Sequence, residues 1–222
     1  MSYVKHSINL EKVSHSYRSA TSEVQLFKNL SLTIETGRSL SIVGASGAGK
    51  STLLSLIAAL EPPTKGHITY QLGDQTLPAE KLRKNSGFIF QQFHLIPELD
   101  ALTNVALPLL LHGDNQAYMK ASCWLEKIGL SARSSFKSNQ LSGGEQQRVA
   151  IARAFISEPH FVFADEPTGN LDEDTSAHVS QLMFDCARKT GSALVLVSHN
   201  PTLAAEADDC YRLSQGKLEL RQ

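Results

Sequence analysis

Eight consecutive residues, Gly44–Ser51, read GASGAGKS and fit the pattern G-x-x-x-x-G-K-S/T. Glycines in such a loop let backbone N–H groups turn inward onto phosphate oxygens. A lysine at the position of Lys50 reaches the outer phosphates, and a hydroxyl at the position of Ser51 is offered to Mg²⁺. The pattern therefore predicts a bound nucleotide with its Mg²⁺ ion, against the alternative of a chance glycine-rich turn. The residues expected at the nucleotide are Gly44, Ala45, Ser46, Gly47, Ala48, Gly49, Lys50, Ser51 and Thr52.

An acidic pair, Asp165-Glu166, follows the apolar run Phe161–Ala164. Carboxylates at the end of a buried strand are costly unless they meet a cation or transfer a proton. Beside a phosphate-binding loop, Asp165 fits a Mg²⁺ partner, and Glu166 is placed to act on an attacking water as general base. The alternative is a solvent-exposed cap at the end of a strand.

Two further apolar runs also end in polar residues. Ala193–Val197 leads into Ser198-His199, and His199 could contact the γ-phosphate and orient water, although a plain surface histidine is the alternative. Gly87–Phe90 leads into Gln91-Gln92. These neutral amides could ligate Mg²⁺ or water, or merely cap a loop, and spacing does not decide between these roles.

A second anion-binding element is predicted in the segment Leu141–Arg148, which reads LSGGEQQR. Ser142 and Glu145 have the S-x-x-E spacing of a capping box, so a helix should begin here. Gly143 and Gly144 expose backbone N–H groups at that helix start. One small domain rarely needs two such elements for one nucleotide. Two copies facing head to tail could use both, each lending its second element to the other's nucleotide.

The apolar runs and the segments between them predict the elements that position these residues. Runs of four or five apolar or β-branched residues suit strands buried on both faces, as in a parallel sheet. In an open α/β sheet, ligands bind outside the carboxyl ends of the strands, where the polar residues lie. The predicted strands are Ser39–Val43, Gly87–Phe90, Phe161–Ala164 and Ala193–Val197, and the predicted helices are Thr52–Leu60, Glu145–Ile156 and Thr175–Lys189.

The remaining segments predict an N-terminal antiparallel β layer and an inserted helical region. Ile8–Val13, Ser31–Ile34 and His67–Gln71 have the character of short strands. Turns are expected at residues 35–38 and at Pro62–Gly66. The middle of the chain, from about 95 to 140, is predicted to be an α-helical subdomain between two strands of the main sheet. The whole chain, 1–222, is then one α/β domain.

Composition excludes several classes of protein. The chain has 222 residues, with 21 Lys+Arg against 22 Asp+Glu and a formal charge of −1. This balance argues against nucleic acid as a partner and against a polybasic membrane anchor. The most apolar run, Val105–Leu111, is far shorter than a membrane span, and Met1–Asn9 lacks the apolar core of a leader peptide. Cys123, Cys186 and Cys210 lack metal-site or disulfide spacing and are expected to be reduced thiols.

The Leu141–Gln147 segment resembles the signature motif of ABC-type ATPases, and Gly44–Ser51 and Phe161–Glu166 resemble their phosphate loop and Walker B strand. The resemblance covers nearly the whole chain and implies a P-loop fold that binds and hydrolyses ATP with Mg²⁺. It implies that Tyr17 stacks on adenine and that Gln91 touches Mg²⁺ and water. Glu166 and His199 match the catalytic glutamate and the switch histidine. It further implies a D-loop at Asn170–Asp172 and contacts from Ser142, Gly143 and Gly144 to the γ-phosphate on the opposite subunit.

Residues 87–97 and 164–172 are similar to the branch that contains lipoprotein-release and macrolide-export ATPases. That branch implies an ABC permease as partner, and export or mechanotransmission rather than import. It places the chain at the cytoplasmic face of the bacterial inner membrane, held there by the permease. All the active-site residue types are present, which favours a homodimer of cassettes with two competent sites over a heterodimer. Thr103 and Ser138 depart from the Glu and Pro common in the branch, at positions away from the chemistry. The alternatives are a soluble non-transport ABC ATPase and a P-loop kinase or GTPase.

Overall fold

The N-terminal third of the chain forms an antiparallel sheet. The computed structural model describes residues 5–18 and 23–221. Strands β1 (His6–Arg18), β2 (Glu23–Glu35), β4 (Lys65–Leu72) and β5 (Gln75–Leu77) pair in the order β2-β1-β4-β5. Ile8 pairs with Ile34 and Leu10 with Leu32, and all four side chains are buried. The period-2 alternation of these strands therefore turns one face of the sheet toward the core.

These strands are longer than the sequence predicts. The side chains of β1 alternate regularly between the two faces of the sheet only up to Leu10. Beyond it, register shifts between Leu10 and Val13 and again at His15 interrupt the pairing with β2. Lys12 sits in the left-handed region, with φ of 48°, at the first of these irregularities. The turn predicted at Pro62–Gly66 is wrong in its second half, since β4 already begins at Lys65.

The central sheet is parallel apart from one edge strand. It contains β3 (Ser39–Val43), β6 (Ser86–Phe90), β7 (Phe161–Asp165), β8 (Ala193–Ser198), β9 (Asp209–Ser214) and β10 (Lys217–Arg221). Their order is β10-β9-β3-β8-β7-β6, and β10 pairs antiparallel to β9. The four strands predicted from the apolar runs are confirmed within one residue at each end. Residues of β8 and the first four of β7 are buried, as expected for strands covered on both faces.

The register of the central sheet aligns the carboxyl ends of the functional strands. Val43 pairs with Ser198, Asp165 with Val197, and Phe90 with Asp165. The residues that follow these strand ends therefore emerge at one edge of the sheet. This alignment assembles the candidate site.

The helices begin close to the predicted residues. Helix α1 (Lys50–Ile57) begins at Lys50, as expected for a helix that follows directly from the phosphate loop, and ends three residues before Leu60, the last residue of the apolar pattern. Helix α2 (Ala79–Lys84) precedes β6. The remaining helices of this part are α5 (Gly143–Phe155), α6 (Glu173–Thr190) and α7 (Pro201–Ala205). The capping box at the start of α5 is confirmed: Ser142 Oγ accepts from Glu145 N, and Glu145 Oε2 accepts from Ser142 N.

A helical region lies between β6 and β7, which confirms the predicted insertion. It contains α3 (Ala101–Leu111), α4 (Ala117–Lys127) and 3₁₀ turns at Ser131–Arg133 and Ser138–Gln140. Its own apolar cluster includes Val105 and Leu125 and packs against Val149 of α5. Among residues 5–18 and 23–221, no helix is both long and apolar enough to span a bilayer.

Candidate nucleotide site

The phosphate loop leaves an open helix N-terminus at the edge of the sheet. Gly49, directly before α1, has φ of 91°, and Gly47 has φ of 77°, a conformation that glycine adopts without strain. No side chain caps α1, so its first backbone N–H groups face outward. Gly44 packs so closely that a Cβ would lie 2.6 Å from the Leu213 carbonyl oxygen. The loop therefore presents unpaired donors and a positive helix end to an anion.

Lys50 and Ser51 lie at this helix start with partners on neighbouring strands. Lys50 is 8 % exposed, and its Nζ donates to the carbonyl oxygens of Gly44 (3.0 Å) and Ala45 (3.2 Å). It lies 3.8 Å from Glu166 Oε1. Ser51 Oγ donates to Asp165 Oδ1 at 3.0 Å. The ammonium and the hydroxyl therefore both lie beside the acidic pair at the end of β7.

The Ser51–Asp165 pair offers oxygen ligands in a partly buried place. Burial raises the pKa of Asp165 and the nearby Glu166 charge raises it further, while the Ser51 hydroxyl and Lys50 act in the opposite direction. A carboxylate that is buried beside a second carboxylate gains from a cation. A hydroxyl and a carboxylate are ligand types that Mg²⁺ accepts. The residues present therefore fit this ion.

Glu166 is the most tightly held carboxylate of the site. Its Oε2 accepts hydrogen bonds from Ser198 Oγ (3.1 Å) and from His199 N (3.1 Å), and it lies 2.9 Å from His199 Nδ1. Its backbone is left-handed, with φ of 47°, and its N–H donates to the Val197 carbonyl at 3.0 Å. These hydrogen bonds stabilise the rare backbone conformation and also fix the orientation of the carboxylate at the end of the strands.

Gln91 pairs with Asn170 in this structure. Gln91 Nε2 donates to Asn170 Oδ1 at 3.0 Å, and Asn170 Nδ2 donates to the Gln91 carbonyl at 2.9 Å. A Cβ on Gly169 would lie 2.9 Å from Gln91 Nε2, so a larger residue there would displace the amide from this position. Gln91 therefore lies at the site edge, with its amide turned to the D-loop segment.

Tyr17 borders the same cleft as the phosphate loop. Its ring is 48 % exposed, and its hydroxyl lies 3.4 Å from Thr52 Oγ1. Tyr17 is therefore not an ordinary core tyrosine, which is what the sequence alone would favour. The cleft has a volume of about 470 Å³. It is lined by Tyr17, Leu26, Ser46, Gly47, Gly49, Lys50, Ser51, Thr52, Gln91, Glu166 and His199.

The second anion element lies elsewhere on the chain. Ser142 is exposed at the start of α5, and a Cβ on Gly143 would meet Leu171 at 3.5 Å and Phe93 at 3.8 Å. Among the described residues, the lining of the nucleotide cleft includes neither Ser142, Gly143 nor Gly144. Three residues of the phosphate loop itself, Gly44, Ala45 and Ala48, are also absent from this lining. One chain therefore does not bring its two anion-binding elements into one cleft.

Ser198 and Asn170 belong to the site although the sequence patterns gave them no chemical role. Ser198 is 1 % exposed and donates to Glu166, while Asn170 holds Gln91. The rule that polar residues at strand ends meet at one edge could have found Ser198, which ends β8. For Asn170 the resemblance indicated a place in the D-loop but no bond to Gln91, because that pairing depends on the loop conformation.

The family model described as "ABC transporter" matches residues 27–169, which is more than half of the chain. The chain belongs to the ABC transporter family. This confirms the expected P-loop fold and makes the chain an ATP-binding and ATP-hydrolysing subunit of the transport type. The soluble non-transport ABC ATPase and the P-loop kinase or GTPase are thereby set aside.

Two relatives and a solved structure agree with this assignment. The lipoprotein-releasing system ATP-binding protein LolD of Legionella pneumophila (strain Paris) is 45 % identical over 219 residues, covering 96 % of each chain. The uncharacterized ABC transporter ATP-binding protein YbbA of Escherichia coli (strain K12) is 41 % identical over 222 residues, covering 95 % of this chain and 97 % of YbbA. The dimeric post-hydrolysis structure of the ATP-binding cassette MJ0796 with ADP and Pi has a TM-score of 0.82. It is 36 % identical and covers 96 % of each chain.

Proposed function

We propose that this chain drives a separate permease for export, lipoprotein release or mechanotransmission at the cytoplasmic face of the bacterial inner membrane. The similarity to LolD and YbbA supports this branch. In this proposal residues 1–222 form one cassette with a helical subdomain at about 95–140. ATP closes two cassettes, and hydrolysis reopens them.

Glu166 is the proposed general base. The observation that carries the proposal is that Ser198 and His199 hold its Oε2 at the strand edge from which the phosphate loop also emerges. A carboxylate fixed beside the γ-phosphate accepts a proton from water as the water attacks. His199 holds the carboxylate and faces the cleft, where it orients the water. Lys50 leaves its carbonyl partners to neutralise the phosphate charge.

Mg²⁺ is the proposed companion of ATP. Ser51 and Asp165 would hold it, with Gln91 at the edge of the cleft, since these residues supply oxygen atoms to a hard cation. When bound, Mg²⁺ draws charge from the phosphate oxygens. For Gln91 to take part, its amide must leave Asn170. Tyr17, exposed beside Thr52, offers its ring face to adenine.

The proposed working unit is a homodimer in which each ATP lies between two chains. The start of α5 at Ser142–Gly144 is an uncovered helix end outside its own chain's cleft. A helix end of this kind binds an anion from another molecule. Its placement supports γ-phosphate contacts across the dimer, and the dimeric MJ0796 cassettes provide a structural parallel.

A groove between the helical region and edge strand β6 is the proposed contact with the permease. Its volume is about 610 Å³, and its lining includes Phe88, Phe90, Leu107 and Leu111 with Arg153. Leu111 is 78 % exposed, whereas Val105 on the same helix is buried. The segment Val105–Leu111 therefore serves both the core of the helical region and an open apolar surface. An apolar floor with a charged rim suits a short amphipathic segment of a membrane protein.

Glu166→Gln tests this proposal, because the amide keeps the shape of the carboxylate and cannot take the proton. ATP binding should be retained, turnover should fall by about a hundredfold or more, and an ATP-bound dimer should accumulate in light-scattering chromatography. Glu219→Gln, an exposed change on β10, is the matched control and should behave as wild type. Unchanged hydrolysis in Glu166→Gln, or a monomer at saturating ATP, would contradict the proposal.

A further inference from the structure

Gln147 is a fully buried polar residue on the signature helix α5. Its exposed surface is 0 %, and its Nε2 donates to the Pro167 carbonyl oxygen at 2.6 Å. Within the part of the chain that the structure describes, its Oε1 has no hydrogen-bond partner. A buried polar atom without a partner costs stability. A glutamine that only filled space here would therefore destabilise the fold. Its hydrogen bond to the Pro167 carbonyl connects it to the loop that carries Glu166.

The Pro167 carbonyl belongs to a tight turn that sets the conformation of Glu166. The Gly169 N–H donates to the Glu166 carbonyl at 3.0 Å, which closes the turn. Glu166 itself is left-handed, with φ of 47°. A rare backbone conformation persists when surrounding contacts hold both sides of it. Val197 holds the N–H of Glu166 on one side, and Gln147 holds the carbonyl of the next residue on the other.

Helix α5 joins this bond to the element proposed for the partner's ATP. Ser142 caps the helix, and Gln147 lies one and a half turns farther along the same rigid segment. Each chain would therefore touch the opposite nucleotide with the start of α5, while Gln147 of the same helix bonds to the Pro167 carbonyl beside that chain's own Glu166. A small shift of α5 moves both contacts together.

We propose that Gln147 is a positioning residue that couples the signature element of one ATP site to Glu166 of the other. The proposal rests on the homodimer and on the general-base role proposed above. Gln147 acts through the Pro167 peptide and touches no reacting atom. Its contribution lies in turnover and in communication between the two sites, and ATP binding does not depend on it.

Gln147→Met tests the proposal, because methionine fills a similar volume without a donor or an unpaired oxygen. The thermal midpoint should change little, since removing the unpartnered Oε1 and leaving the Pro167 carbonyl without its donor act in opposite directions. KM for ATP should be unchanged, kcat should fall about tenfold, and the Hill coefficient for ATP should approach 1. The control Gln181→Met makes the same chemical change at an exposed position of α6 and should leave all these quantities unchanged.

The double variant Glu166→Gln/Gln147→Met separates this inference from the proposed function. It should form the ATP-bound dimer as readily as Glu166→Gln alone. If Glu166→Gln alone forms no dimer, the proposed function fails rather than the role of Gln147. If the single variant Gln147→Met does not fold, or keeps its kcat, or loses kcat and thermal midpoint together, the coupling role is overturned and Gln147 is a packing residue.

Discussion

Replacing Gly144 by alanine places a methyl group where α5 passes the first turn of α6. The added Cβ would stand about 1 Å closer to Thr175 Cγ2 than ordinary van der Waals contact allows. Thr175 is β-branched and lies in the first turn of α6, so few χ1 rotamers are open to it. At Gly143, a Cβ would meet Leu171 at 3.5 Å, an ordinary contact. The difference in unfolding free energy between these two alanine variants therefore measures the clash, because the change in helix propensity is common to both.

The clash should cost Gly144→Ala about 2 kcal/mol of unfolding free energy. This corresponds to a thermal midpoint about 4–8 °C below that of Gly143→Ala in a domain of this size. A shift of about 1 Å between α5 and α6 should also lower kcat by up to about a hundredfold. The thermal midpoint is measured by calorimetry, and kcat is measured by steady-state phosphate release.

Thr175→Ser removes the clashing methyl group and provides the decisive control. The double variant Gly144→Ala/Thr175→Ser should recover most of the lost midpoint, with a coupling energy of about 1–2 kcal/mol. Recovery of turnover would show that the clash displaced the helix. If the double variant is as unstable as Gly144→Ala, the close packing of α5 on α6 does not limit this position, and the reasoning is refuted.

Three further predictions follow from the described contacts. Burial lowers the pKa of His6 and His160 below the ordinary 6.5, so the unfolded chain binds more protons and unfolding free energy should fall as pH drops through about 6.5. His160→Gln should reduce this pH dependence of the unfolding free energy, measured by urea titration at several pH values, and an unchanged pH dependence would contradict it. Ser51→Ala should raise the Mg²⁺ concentration for half-maximal turnover severalfold without changing magnesium-free ATP binding; an unchanged Mg²⁺ requirement would contradict it. Gly87→Ala would press a Cβ onto a backbone carbonyl of α5, so its urea midpoint should drop by the equivalent of about 3 kcal/mol, and an unchanged midpoint would contradict it.

The central sheet and the phosphate loop were predictable because their signals are local. Buried parallel strands leave continuous apolar runs, and the polar residues after each run must lie at one edge. Ser39–Val43 was predicted at its observed bounds. The apolar spacing of Thr52–Leu60 indicates this helix but not its first residues, since the helix begins from a left-handed Gly49 without a capping side chain.

The parts that could not be predicted depend on tertiary contacts. The outer half of β1 pairs through bulges, so its residues near His15 show no regular alternation. Tyr17 lies beyond these bulges, where it pairs with Val24 of the neighbouring strand, and its solvent exposure is not evident from its own sequence. The role of Gln147 depends on a carbonyl 20 positions away, on a loop held by other bonds. Side-chain partners of this kind leave no periodic pattern.

The cysteines of the chain allow a direct test of the arrangement across the dimer. Cys123 is exposed and Cys210 partly exposed, so both are replaced by serine. Burial raises the pKa of the Cys186 thiol to about 11, so this thiol stays protonated and can remain in place. The resulting chain accepts single engineered thiols without background crosslinking.

The central claim is that the phosphate loop of one chain faces the signature element of another. Two chains of different length, each with Glu166→Gln, carry Ser46→Cys and Ser142→Cys respectively and are mixed with a short bifunctional thiol reagent. The measurement is the yield of the mixed crosslinked dimer on a denaturing gel, with and without ATP. We predict a strong band of the mixed crosslinked dimer that requires ATP. No mixed band, or an equal band without ATP, would contradict it.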